Sequence, residues 1–230
     1  MEYRYETHFH TDEVSYCGTV PAAEAVKAYC EQGYTGITVT DHYYGGLLRD
    51  FGGNDNWEAA VDRWMLGYRL AKEAGDACGL DVFLGMELRF EGSPEDYLVY
   101  GIDRQFLLDH PKLYDLKPDT FSVLAKEYGL YFGQAHPYRP GLKRCDPALI
   151  DGVEGFNGNK RHNSHDALAQ AFGKDNGLII TSGADFHEWE DLARGGMVSS
   201  VRVENETHWV ELLKSGVLKP DLSLTRPEEE

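Results

Sequence analysis

A chain of 230 residues with 42% apolar and 27% charged side chains has the composition of an ordinary globular protein, which argues against disorder and allows one substantial core. Its net charge of −17 repels phosphate backbones and anionic membranes at long range, so nucleic acid and membrane surfaces are disfavoured as main partners. No run reaches the ~18 apolar residues of a membrane helix, and Met1 leads into "EYRYETHFH" without a basic or apolar leader, so the expected location is cytoplasmic.

In chain order, "YRYET" reads as a first strand, and Pro21 opens a helix in which Val26, Tyr29 and Cys30 recur at helical spacing until Gly33. "GITVTD" is a second strand. The Gly- and Asn-rich residues 43–56 read as a long irregular loop, a candidate lid. Trp57, Val61, Trp64, Met65 and Tyr68 mark one face of a helix ending near Gly75, a stripe expected to pack as core. "DVFLGMELRF" and "DYLVYGID" are strands, with a short helix around Phe106 to His110. Asp119 is expected to cap the helix "TFSVLAKEYG", which leads to strand "LYFGQA". "GVEGFNG" is a strand ending in the polar loop "NGNKRHN". Ser164 is expected to cap the next helix, before strand "GLIITSGAD". "MVSSVRV", the helix "HWVELLKSG" and a tail complete the chain. The alternation predicts an α/β fold with a parallel sheet of seven or eight strand units, in one domain over residues 1–220 with a frayed tail at 221–230.

Chemistry-bearing residues recur just past the ends of these strands. His8 and His10 are two apart, so both imidazoles project from one face of an extended strand. His42, Glu87, His136, Asp185 and His187 each follow an apolar run. Barrel enzymes gather their working residues at that end of the sheet, where these seven side chains from five strands would meet. Nitrogen and oxygen ligands of this kind suit zinc, manganese or iron. Seven exceed what one tetrahedral ion takes, which implies two or three divalent ions with Glu87 bridging. Cys17, Cys30, Cys78 and Cys145 show no C-x-x-C spacing and read as reduced thiols. Asp41 is expected to orient His8 or His42 from behind, and Asn157 and Asn159 to line the pocket. Of His110, His162, His165 and His208, none of which ends a strand, His162 is the one nearest a site role.

The successive motifs "HFH", "TVTDH", "GMEL", "AHP" and "SGADFH" resemble those of the PHP (polymerase and histidinol phosphatase) family, in order, from His8 to His187. The resemblance implies a distorted TIM-like (β/α)7 barrel holding two or three metals and hydrolysing phosphate esters. His8, His10, Glu87 and Asp185 would resemble the first metal's ligands, with His42, His136 and His187 sharing in the others. The chain departs from the family pattern at Ser15–Thr19 and at Glu95 and Asp96, where members often carry further ligands. Asp12, Glu13 and Asp96 are the nearby candidates to substitute.

The implied reaction is hydrolysis of a small phosphorylated metabolite, histidinol-phosphatase-like or nucleotide-phosphatase-like, by a metal-bound hydroxide. Asp41 and His187 are the candidates to manage protons, and Arg139 and Arg161 to bind phosphate. The alternatives are a nuclease acting on nucleic-acid ends, a non-catalytic metal-binding domain, and amide hydrolysis. The last commonly adds a carboxylated Lys, and no Lys here ends a strand. G-x-S-x-G, P-loop and dinucleotide motifs are absent from the sequence.

Overall fold

A computed structural model describes residues 2–224 of the chain. The elements run β1 (Tyr3–Phe9), α1 (Ala22–Glu31), β2 (Gly36–Val39), β3 (His42–Tyr43), α2 (Gly45–Asp50), α3 (Trp57–Trp64), α4 (Leu66–Cys78), β4 (Asp81–Arg89), β5 (Asp96–Tyr100), α5 (Arg104–Asp109), α6 (Pro118–Glu127), β6 (Tyr131–Gln134), β7 (Gly152–Asn157), α7 (Asp166–Asp175), β8 (Ile179–Gly183), β9 (Met197–Ser199), α8 (Glu206–Lys214) and β10 (Lys219–Pro220).

Seven strands in the order β1-β2-β4-β5-β6-β7-β8 curl into a nearly closed barrel. The ends meet where His10 N–H donates to the Phe186 carbonyl and Phe186 N–H to the His8 carbonyl, both at 3.0 Å. This is the expected distorted barrel. One expectation fails, because β5 runs antiparallel to both β4 and β6. Only residues 90–95 join β4 to β5, and a parallel return needs a crossover of about a dozen residues, so a hairpin is the available connection. β9 pairs antiparallel with β1 on the outer edge, and β10 pairs with β9.

Strand alternation sorts the barrel's two faces. On β4, Leu84, Met86 and Leu88 point outward into an apolar cluster with Val61, Trp64 and Phe121 of the covering helices. The alternate residues Phe83, Gly85, Glu87 and Arg89 share the inner face, in order from the base of the barrel to its mouth. The base is plugged where Trp209 of α8 packs edge-on against Tyr5, with ring centroids 5.4 Å apart, among Phe83 and Tyr100. Burying each such ring contributes about 1.5–3 kcal/mol.

Several local readings need correction. Residues 43–56 are not an open lid, since α2 forms there and Leu47 and Leu48 are fully buried. The aromatic stripe spans two helices, α3 and α4, which break at Met65, and Trp64 is core as expected, with its indole N–H on the His42 carbonyl at 2.8 Å. Lys117 is the N-cap of α6 with Pro118 in the first position, so Asp119 falls in the first turn. His165, not Ser164, occupies the N-cap position of α7, without a side-chain capping bond. At the C-terminus, Asp221 is tied into the fold by Arg4 at 3.0 Å and by its N–H on the Gly196 carbonyl at 2.9 Å. The expected tail from residue 225 onward lies outside the described residues. Among the described residues no helix is long and apolar enough to cross a membrane.

Candidate metal centre

The H-x-H motif leaves β1 through a register irregularity between Glu6 and Phe9. A bulge re-aims side chains and strands backbone donors. Here the buried carboxylate of Glu6 takes them up, accepting from Thr7 N at 2.9 Å, His8 N at 3.0 Å and Ala184 N at 2.8 Å. One side chain thereby couples the segment carrying His8 and His10 to the one carrying Asp185 and His187. Gly183 permits the close approach: a Cβ there would lie 2.6 Å from His8 Cβ and 2.8 Å from Thr7 Oγ1.

Glu87 stands at the centre. His8 Nε2 lies 3.2 Å and His136 Nε2 3.1 Å from its Oε1, while His10 Nε2 lies 3.4 Å and His42 Nδ1 2.7 Å from its Oε2. The parallel register that sets His42 opposite Glu87 accounts for the closest of these contacts. Asp185 Oδ1 is 3.4 Å from both His8 Nε2 and His10 Nε2. Three groups of potential ligand atoms, each within 4.8 Å of one another, result: His8, His10 and Asp185; His10, His42 and His187; His42, Glu87 and Asp96. His136 and Asp185 both adopt positive φ, 28° and 51°, a conformation non-glycine residues rarely take and one that clusters at functional sites.

The far side of several imidazoles is fixed. His8 Nδ1 meets Glu154 Oε1 at 2.8 Å, His10 Nδ1 meets Ser15 Oγ at 3.2 Å, and His187 Nδ1 lies on the Asp185 carbonyl at 2.8 Å. These contacts leave the other ring nitrogen turned inward, as in metal-binding histidines. His8 Nε2, His10 Nε2, His42 Nδ1 and Glu87 Oε2 are buried and make no well-aligned hydrogen bond, although His42 Nδ1 and Glu87 Oε2 stand 2.7 Å apart. Leaving one such atom unsatisfied costs about 1–3 kcal/mol, more for a charged group, so a cluster of them facing one point fits divalent cations. Hard oxygen and borderline nitrogen donors in this proportion also suit them.

Burial would raise the carboxyl pKa of Glu87 and Asp185, but surrounding positive groups outweigh it. His8 and His42 hold Glu87 well below the usual carboxylate range, and His8, His10, His187 and Arg139 do the same for Asp185. Burial also lowers His10, reinforced by His187 and His42. For His8 burial acts the same way, but Glu154, Asp185 and Glu87 overcome it and set its pKa well above the ordinary value.

A cleft of about 300 Å³ opens above the centre, lined by Cys17, Arg89, Arg139, Asn159, Arg161 and His162 among others. Every arginine there ends on a carboxylate. Arg89 grips Asp96 through two bonds of 2.7 and 2.8 Å. Arg139 Nη2 donates to Asp185 Oδ2 at 2.7 Å, while its Nε is buried and unpartnered. Arg161 donates to Asp191 at 2.9 Å and lies 3.5 and 3.6 Å from Glu188 and Glu190.

All seven residues expected as ligands therefore converge. Arg139 and Arg161 reach the cleft, and so does His162, whereas His110, His165 and His208 are not among its lining residues. Asp41 is the exception: its oxygens accept from Thr11 N at 2.8 Å, Thr11 Oγ1 at 2.8 Å and Ser15 Oγ at 2.7 Å, and it touches neither the cleft nor the His8 or His42 ring. Its reach is indirect, because Ser15 in turn contacts His10 Nδ1. Asn157 bridges Glu154 Oε2 at 2.8 Å and Asp185 Oδ2 at 3.2 Å. Of the candidate substitutes Asp96 joins a ligand group, while Glu13 instead accepts from Ala22 N at the start of α1 and Asp12 is exposed. The sequence reading missed Glu154, Arg89 and Glu6. A carboxylate within the apolar run "GVEGF" was the signal for Glu154.

No protein-family model and no curated protein matches the chain. Solved structures do. A two-domain protein containing a predicted PHP-like metal-dependent phosphoesterase from Bacteroides vulgatus ATCC 8482 superposes with TM-score 0.68 at 17% identity, covering 96% of this chain and 65% of that one. PsfC from Pseudomonas syringae PB-5123 gives 0.63 at 16%, covering 91% and 88%. The lesion-specific endonuclease PfuEndoQ from Pyrococcus furiosus gives 0.59 at 14%, covering 96% and 58%. The likeness is one of fold, and the chain spans less than two thirds of the length of the first and third of these proteins.

Proposed function

We propose that the chain is a metal-dependent phosphoesterase that hydrolyses the phosphate ester of a small metabolite, with two or three divalent ions, zinc, manganese or iron, held by His8, His10, His42, Glu87, His136, Asp185 and His187. The observation that carries this reading is the set of buried nitrogen and oxygen atoms without well-aligned hydrogen bonds on both sides of Glu87, directly beneath an arginine-lined cleft. The PHP-like phosphoesterase domain of the Bacteroides neighbour supports it through the shared fold.

Divalent cations there would neutralise a phosphate dianion and acidify water for attack on phosphorus. The protein's own part is to position and to balance charge. Glu154 and Ser15 fix the rings of His8 and His10, and the Asp185 carbonyl fixes that of His187. Arg139, held against Asp185 by Nη2, lines the cleft where its guanidinium would meet a phosphate oxygen. Arg161 and His162 line the cleft wall above it. Of the two residues expected to manage protons, His187 is already engaged, by the Asp185 carbonyl at Nδ1 and as a ligand at its other nitrogen, and Asp41 acts on His10 through Ser15.

A cleft of about 300 Å³ on a chain of net charge −17 favours a small substrate over a polyanion. The endonuclease neighbour motivates the second reading, cleavage of a nucleic-acid end, on the same centre. Elemental analysis of the purified chain, coupled to a panel of phosphomonoesters, phosphodiesters and DNA oligonucleotides with Mn²⁺, Zn²⁺ or Fe²⁺ supplied, tests both. Turnover of small monoesters, abolished by chelator, is expected. Bound metal without hydrolysis anywhere in the panel would overturn the enzymatic reading, and preference for oligonucleotides would select the second.

A further inference from the structure

Two cysteines that stand 48 positions apart in sequence meet on the outside of the barrel. Cys30 lies in the last turn of α1 and Cys78 is the last residue of α4, the helix packed beside it over a shared apolar cluster that includes Ala25, Tyr29, Ala71 and Ala74. Cys30 Sγ donates to the Cys78 carbonyl at 3.3 Å, which brings the Cys30 sulfur against the residue that carries the second thiol. Cys78 is exposed and Cys30 half-buried, so a small oxidant reaches one and the other waits beside it. The remaining cysteines have other neighbours: Cys17 faces His42 and His187, and Cys145 faces Tyr97.

We propose that Cys30 and Cys78 are a disulfide-forming pair, oxidised by thiol–disulfide exchange with a low-molecular-weight disulfide such as oxidised glutathione. The exposed Cys78 thiolate attacks one sulfur of the oxidant and expels one glutathione thiolate, leaving a mixed disulfide on Cys78. Cys30 thiolate then attacks the Cys78 sulfur and expels the second glutathione. Two protein thiols are oxidised, one small disulfide is reduced to two thiols, and the protons lost by the cysteines pass to the departing thiolates. The bond would join the C-terminal ends of α1 and α4 and close a loop that contains β2, β3 and His42. No metal is involved, and the inference stands independently of the proposed reaction.

Incubation of the full chain with oxidised glutathione, followed by thiol titration in denaturant and peptide mapping, tests it. Free thiols should fall from four to two, the intact mass should drop by two hydrogens, and a peptide linking Cys30 to Cys78 should appear. The oxidised chain should melt higher than the reduced one by roughly 5 °C or more, given the length of the closed loop. Cys78→Ser should show neither the link nor the shift. A count that stays at four, a glutathione adduct that persists on Cys78, or a link that runs to Cys17 would overturn the pairing. All of these are read on the unsubstituted chain, so a poorly folding variant does not obscure them.

Discussion

At the floor of the cleft, His8 Nε2, His10 Nε2 and Glu87 Oε2 are buried and make no well-aligned hydrogen bond, whereas at the rim Arg89, Arg139 and Arg161 each end on a carboxylate. The floor gathers ligand atoms that the protein itself leaves without well-aligned hydrogen bonds, the arrangement that suits bound cations. The rim is neutralised by its own ion pairs. Substitutions should divide accordingly: those at the floor act on cation binding and abolish turnover, and those at the rim act on substrate affinity with the cations retained.

The largest effect is expected at Glu87, which faces four imidazoles. Glu87→Gln should lose at least one equivalent of metal by elemental analysis and reduce kcat/KM by about 10³-fold or more. Full metal content with an unchanged rate would dissolve the distinction between floor and rim. Glu154→Gln comes next. It touches no point where a cation would sit, yet it holds His8 Nδ1 and the His136 N–H, so metal affinity measured against a competing chelator should weaken about 10–100-fold. At the rim, Arg139→Ala should raise KM about tenfold for a phosphomonoester with metal content preserved, the loss expected for a charged hydrogen bond. Arg161→Ala should do less, because three carboxylates already engage that guanidinium.

The floor was far more legible in the sequence than the shell around it. His42, Glu87, His136, Asp185 and His187 each follow an apolar run, and strand periodicity alone puts His8 and His10 on one face, so the positions announce themselves. Glu154 and Glu6 lie inside strands, and nothing in linear order says that a carboxylate in "GVEGF" meets a histidine 146 positions earlier. Asp41 misled for the complementary reason. Adjacent to His42 in sequence, it sits in the link between β2 and β3 and is held by Thr11 and Ser15. The barrel followed from the alternation of elements, but the reversal of β5 depended on a short connection whose geometry periodicity does not encode.

The smallest predicted effect calibrates what a satisfied charge pair is worth away from the cleft. Asp221 accepts from Arg4 at 3.0 Å, with both side chains partly exposed. Burial raises its pKa, but hydrogen bonds from Ser223 and the Arg4 charge outweigh that and hold it below the ordinary value. A carboxyl whose folded pKa is depressed contributes stability above its unfolded pKa, near ~3.9, and loses it as the pH falls through the folded value. Asp221→Asn should therefore cost under about 1 kcal/mol at neutral pH. The difference from the unsubstituted chain should shrink toward zero in urea melts as the pH falls below the folded pKa, where the aspartate is protonated in folded and unfolded states alike. A deficit that persisted unchanged into acid would assign the effect to lost hydrogen bonding at the β10 edge and not to the ion pair. The rim arginines would then be read for their geometry as phosphate donors more than for their charge.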